Sequence, residues 1–440
     1  MSKGACSIEV SHQKAPSDVA LDIRVIGCEP GKAIQLRLRG KDQAGADFES
    51  SPTFVADSEG VVALKAQAPQ SGAYSGVDPM GLFWSMNPVS KKTTRFVGSD
   101  IGTLTFTLAA EASGVQLAST VIERLFWSPE GDIIHQSIEE EGLVGTLFYP
   151  SSGGPHPAVV VLGGSDGGLH EGSAALLAAH GYAALALAYF GIDPLPRQLV
   201  EIPLEYCGNA ISWLEGHEAV DRGRIGIMGW SKGGELAVLT AATFPEKIRA
   251  TVGLSPSCVV WQGLSEAGRP LKKACWAKGG KSLQYLPLKV KLSTLFKVIF
   301  GLEFSLVSSY RDSLKNQKTY EGARIPVENI NGPVLLLTGS DDALWPAAGM
   351  CERIVDTLAQ HNHPYSYEHV SYQGAGHALR TPYLPSNKEQ KRDKMLFGGS
   401  PEASVKACID SWGRMLAFFQ EHLQKPLDPD SNAPGNIGDK

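Results

Sequence analysis

The residues best placed to do chemistry lie in the stretch Ile225-Gly226-Ile227-Met228-Gly229-Trp230-Ser231-Lys232-Gly233-Gly234, which sets a serine in a G-x-S-x-G context. In an elbow of this kind the small flanking residues permit a strained turn that lifts the hydroxyl above a sheet at a helix N-terminus. The plain alternative is a glycine-rich turn, but an apolar run before it and a helical stretch after it favour a nucleophile. A serine hydroxyl attacks poorly until a base takes its proton. Five of the eleven histidines follow Ser231, namely His361, His363, His369, His377 and His422, and the chain order of such sites is serine, acid, histidine. His377 closes the turn Gln373-Gly374-Ala375-Gly376-His377 after an expected strand at residues 365–370, whereas the others stand in polar loops or on a late helix. The acid is expected in Gly339-Ser340-Asp341-Asp342-Ala343. Asp342 is preferred to Asp341, because a buried carboxylate must reach the imidazole across the turn; the bland reading of both is a turn whose aspartates bond their own backbone.

Such a site also needs donors for the negative charge that develops on a substrate carbonyl oxygen. The loop Leu162-Gly163-Gly164-Ser165-Asp166-Gly167-Gly168 is the candidate, with main-chain N–H groups at Ser165 and Asp166 and a second donor at Lys232, the residue after the serine. A phosphate cradle is a weaker reading of this loop, since the Walker lysine and GxGxxG spacing are missing.

Elements must bring these segments together. Short apolar runs at residues 158–162, 182–188, 225–228, 251–254 and 334–337 alternate with helical stretches at 173–180, 204–217, 234–243, 347–360 and 405–423. That alternation predicts a doubly wound, mostly parallel sheet with helices on both faces. Upstream, β-rich runs at 19–26, 34–39, 48–55, 61–64, 104–108, 116–122 and 143–149 alternate apolar with polar, as in Leu21-Asp22-Ile23-Arg24-Val25. They predict a β-sandwich of about seven strands that carries no catalytic-looking residue. The boundaries expected are 1–140 for the sandwich, 141–425 for the catalytic domain and 426–440 for a disordered tail without apolar content.

Composition fits this division. A chain of 440 residues exceeds the size at which one core stops growing, and 43% hydrophobic with 20% charged residues is ordinary globular usage. No run of about 18 apolar residues is present, so no membrane span is expected. The N-terminus lacks a secretory pattern, and seven scattered cysteines show no paired spacing, which together predict cytoplasmic residence, no disulfides and no metal site. A net charge of −6 argues against a nucleic-acid partner. Residues 256–325 differ, with twelve Lys and Arg against four Asp and Glu, a net of +8.

The chain resembles the acyl-CoA thioester hydrolase and bile acid-CoA:amino acid N-acyltransferase family over nearly its whole length. The likeness rests on Gly76-Val77-Asp78-Pro79-Met80-Gly81-Leu82-Phe83-Trp84, Leu185-Ala186-Leu187-Ala188-Tyr189-Phe190, Ser231-Lys232-Gly233-Gly234-Glu235, and Gly376-His377 followed by Pro382-Tyr383. It implies an α/β-hydrolase fold preceded by an immunoglobulin-like β-sandwich, a triad at Ser231, Asp342 and His377, no cofactor, and an acyl-CoA substrate split to free acid and CoA through an acyl-serine. Members with serine at the elbow resemble thioesterases, while those with cysteine tend to pass the acyl group to an amine, because amines attack a thioester intermediate more readily than an oxygen ester. Transfer to an amino acid, a carboxylesterase, peptidase or dienelactone-type activity, and a catalytically silent binding protein are the alternatives. Oligomeric state is not legible.

The basic insert, taken as 255–325, departs from a compact hydrolase. One reading is a lid whose apolar stretch Leu292-Ser293-Thr294-Leu295-Phe296-Lys297-Val298-Ile299-Phe300 lines an acyl channel while Lys272, Lys273, Lys278 and Lys281 attract CoA phosphates. The other is an insert packed on the core with a solvated basic rim.

Overall fold

The computed structural model describes residues 5–90, 95–98, 101–128, 131–140, 142–388 and 390–424; the expected tail at 426–440 lies outside them. Eight strands form the central sheet: β1 (Ile133–Ile138), β2 (Val144–Pro150), β3 (His156–Leu162), β4 (Ala183–Ala188), β5 (Val220–Trp230), β6 (Ala250–Leu254), β7 (Val334–Gly339) and β8 (Tyr367–Tyr372). Their spatial order is β1-β2-β4-β3-β5-β6-β7-β8. Strands β1 and β2 pair antiparallel, β2 runs antiparallel to β4, and every later pair is parallel. Helices α1 (Glu171–Ala179), α2 (Leu204–Gly216), α3 (Lys232–Thr243), α4 (Leu292–Ile299), α5 (Ala347–Gln360) and α6 (Pro401–Phe419) follow in chain order.

The apolar runs of the sheet are continuous because both of its faces are covered. In β3, Val159 and Val161 face the helices α1 and α6, while Ala158, Val160 and Leu162 face α2, α3 and α5. The first of these cores does not stop at the sheet. It runs on through Ala174–Ala178 of α1 and Trp412 and Met415 of α6 into Leu36, Leu38, Phe54 and Phe106 of the N-terminal sheets.

Those N-terminal sheets have three and seven strands. Ala33–Lys41 and Thr103–Ala112 bury Ile34, Leu36 and Leu38 and Leu104, Phe106 and Leu108, respectively, at every second position, as a one-sided sheet requires. The expected strand at 48–55 is two, Asp47–Ser50 and Thr53–Val55, broken at Pro52, which has no N–H for a ladder. The run at 143–149 is not a sandwich strand. It is β2, and its hairpin partner β1 extends the central sheet back to Ile133, so that sheet starts before residue 141.

Polar contacts also join the two halves. The buried Asp18 carboxylate accepts from the Trp412 indole of α6 at 3.0 Å and lies 2.7 Å from the His180 Nε2 beyond α1. The Trp84 carbonyl accepts the Ser386 N–H at 3.0 Å. No helix among the described residues is long and apolar enough to cross a membrane.

The insert divides into two parts. Residues near Cys258–Trp261 and Ala274–Ala277 are buried against α2 and α3, with Trp276 pairing with Ile202 in a short parallel ladder. The second part carries α4, whose apolar side chains point to solvent. The expected acyl-channel lining is therefore not what this stretch provides: its only buried residue is Thr294.

Candidate active site

Ser231 follows the last residue of β5 and precedes α3, with φ 53° and ψ −113°. For a residue with a Cβ this is a strained conformation, of the order of 1–3 kcal/mol. The glycines around it are required by space. A Cβ on Gly233 would lie 2.2 Å from the Gly163 oxygen and 2.5 Å from that of Leu162, and one on Gly229 would lie 2.2 Å from the Gly233 oxygen. The elbow thus packs backbone on backbone, between the ends of β3 and β5.

His377 lies five residues beyond β8, and its Nε2 stands 2.9 Å from Ser231 Oγ. Its Nδ1 is 2.7 Å from Asp342 Oδ2, on the loop after β7. The other Asp342 oxygen accepts the main-chain N–H groups of Leu344 at 2.8 Å and Trp345 at 3.1 Å, so the carboxylate cannot swing. Asp341 is exposed and accepts the Ser340 hydroxyl instead. The imidazole is 7% exposed, held edge-on between the rings of Trp345 and Phe397, both at 5.7 Å. Its carbonyl accepts the Ser255 hydroxyl at 3.0 Å. The four other downstream histidines lie elsewhere: His369, for example, bonds Thr338 across β7 and β8, and His363 the Gly332 carbonyl.

The loop after β3 flanks the serine. A Cβ on Gly164 would sit 3.7 Å from Ser231 Cβ. The Tyr189 hydroxyl, buried behind the loop, donates to the Gly163 carbonyl at 2.6 Å and reaches that of Gly164 at 3.2 Å. Burial pushes this phenol well above its ordinary pKa, so it stays a donor. The Asp166 side chain turns away to Arg392, 2.9 Å distant. Burial would raise that carboxyl, but the Arg392 hydrogen bond and charge hold it below its ordinary value.

The Lys232 side chain is buried and meets Glu235, one helical turn on, at 2.9 Å. Glu235 Oε1 accepts the Trp261 main-chain N–H at 3.1 Å and the Trp276 indole at 2.8 Å, both from the insert. Burial would lower the Lys232 ammonium, but the Glu235 carboxylate facing it holds it above its ordinary value. Burial lifts the Cys275 thiol to about 12, so the sulfur is neutral at pH 7. Neither Glu235 nor Tyr189 is singled out by type; the readable hint for Glu235 was its i, i+3 spacing from Lys232.

Lys272, Lys273, Lys278 and Lys281 are exposed. Lys272 and Lys273 line a cavity of 470 Å³ with Lys318, and none of Ser231, Asp342 and His377 lines it. Lys273 pairs with Glu201 at 2.5 Å, and Lys278 faces Lys281 across a hairpin.

An eight-stranded sheet of this order, with a serine elbow, an aspartate and a histidine at the carboxyl ends of its strands, defines an α/β-hydrolase. The chain belongs to the acyl-CoA thioester hydrolase/BAAT family: residues 18–137 match the family's N-terminal region and residues 202–425 its C-terminal part. It is 31% identical to the mouse (Mus musculus) peroxisomal succinyl-coenzyme A thioesterase, covering 92% of this chain and 94% of that protein. The mouse mitochondrial acyl-coenzyme A thioesterase 2 is also 31% identical, over 92% of this chain and 87% of that one. Among solved structures, a puromycin-hydrolyzing peptidase of Mycobacterium tuberculosis matches with a TM-score of 0.43 at 14% identity, covering 95% of this chain and 68% of that chain.

Proposed function

We propose that this protein hydrolyses acyl-CoA thioesters with Ser231 as nucleophile, His377 as base and Asp342 as the group that orients the imidazole. The observation that carries the reading is the single imidazole standing 2.9 Å from the hydroxyl and 2.7 Å from the buried carboxylate. In the cycle, His377 Nε2 takes the Ser231 proton as Oγ attacks the thioester carbonyl. Main-chain N–H groups at Ser165, Asp166 and Lys232 receive the negative charge on the carbonyl oxygen. The C–S bond breaks, His377 gives its proton to the leaving CoA sulfur, and an acyl-serine is left. Water, activated by the same imidazole, attacks it; the acid leaves and Ser231 regains its proton. Substrate class is supported by the thioesterase names of the relatives, and the exposed lysines at 272, 273, 278 and 281 supply positive charge for the CoA phosphates.

The test follows free thiol release from acyl-CoA beside labelling by a fluorophosphonate. Ser231→Ala abolishes both, and Asp342→Asn lowers kcat by about 10^4, the scale seen when this role is lost in a serine protease. Neutralising Lys272 and Lys273 raises KM and flattens its salt dependence. Labelling without thiol release would assign the triad to another ester or amide. Product analysis with glycine or taurine present separates hydrolysis from transfer to an amine.

A further inference from the structure

Helix α4 is inside out. Its buried residue is a threonine, Thr294, while Leu292, Leu295, Phe296 and Ile299, spaced as one helical face, are 84%, 46%, 55% and 69% exposed. Phe300 and Leu302 extend the patch just beyond the helix, at 63% and 49%. Half of the large exposed apolar side chains among the described residues fall between 290 and 302, so this is a patch and not scatter.

Its setting is basic. Lys289 and Lys297 are exposed at its border, and the insert carries +8 while the rest of the chain carries −14. The charge is thus sorted along the chain so that the segment carrying α4 is drawn to a negative surface, while the rest of the chain is net acidic. A second copy docking face to face would oppose two such basic inserts. The patch is also a short convex helix with flexible lysines, which a lipid interface accepts by letting the ammonium groups reach the headgroups while the apolar side chains sink below them.

We infer that α4 docks this enzyme on anionic lipid bilayers. The helix is tied to the catalytic loops. Phe304 bridges to Met395, its N–H bonds the Lys394 carbonyl at 2.8 Å, and the Ser305 hydroxyl donates to the carbonyl of Ala343, next to Asp342. Docking through α4 would therefore bring the loop that carries Asp342 close to the membrane, where amphiphilic acyl thioesters gather; this last point alone rests on the proposed function.

The full chain is sedimented with vesicles of phosphatidylcholine, with and without phosphatidylserine, at low and high salt. Binding to the phosphatidylserine vesicles is expected, weakened by salt. Phe296→Glu with Ile299→Glu lowers the partition coefficient at least about tenfold, and Lys297→Gln about fivefold, with circular dichroism and thermal midpoint unchanged because these side chains are exposed. Absence of binding by the unaltered chain, or binding untouched by Phe296→Glu with Ile299→Glu, overturns the inference. So does a concentration-dependent dimer that those substitutions abolish, which would give the patch to a second copy. None of these readings needs turnover, so they stand apart from failure of the thioesterase proposal.

Discussion

Tyr189 shows how a residue away from the reacting atoms governs them. Its hydroxyl holds the Gly163 and Gly164 carbonyls from behind, and so fixes the backbone of the loop that we propose supplies donors for the carbonyl oxygen. Tyr189→Phe removes that hold and keeps the ring. We expect kcat to fall about tenfold with KM little changed, since the donors matter most when the carbonyl oxygen becomes charged. A fall confined to KM would mean that the tyrosine shapes the substrate pocket instead. That Ser231 would stand at a tight turn within reach of His377 and Asp342 was legible in the sequence because an elbow is a local pattern whose glycines are dictated by contacts at 2.2 Å. Tyr189 was not, because its partners are carbonyls 25 and 26 residues upstream, and a tyrosine after a buried strand advertises no such bond.

At the scale of elements, α3 is more than a pedestal for the serine. Through Glu235 it clamps the insert, one carboxylate satisfying Lys232, the Trp261 N–H and the Trp276 indole. Breaking a buried pair by removing one partner is costly because the other charge is left without compensation. Glu235→Gln should therefore cost about 3–5 kcal/mol in denaturant unfolding, and Lys232→Met added to it should recover part of that loss. A double variant worse than either single one would show that the two side chains act independently. The strands and helices of the central sheet could be read from their apolar rhythm, and five helices were expected within a few residues of where they lie. The insert could not. Its buried half is fixed by contacts with α2, α3 and Ile202, and α4 exposes the face that an apolar pattern normally hides. Strand β1 was missed for a similar reason: Ile-Ile-His-Gln-Ser-Ile at a sheet edge is half exposed and lacks the unbroken apolar run of its neighbours.

The molecule as a whole carries a pH signature away from the site. Burial holds His217, His363 and His369 below their ordinary pKa of 6.5. His217 accepts the Ala219 N–H on Nδ1, which a protonated ring cannot do. In the unfolded chain these histidines bind protons more readily, so the stability they contribute is complete above about pH 6.5 and declines as pH falls below it. The thermal midpoint should drop between about pH 7 and pH 5.5, before most carboxylates titrate. His369→Gln should flatten that drop; an unchanged slope would remove His369 from the account.

The apolar layer that passes from the N-terminal sheets through α1 and α6 to β3 is one continuous cluster shared by both halves. Excising residues 5–128 should uncover part of that layer and leave the Trp412 indole without Asp18, so the remaining body is expected to aggregate. The sandwich is in that sense a wall of the enzyme's own house.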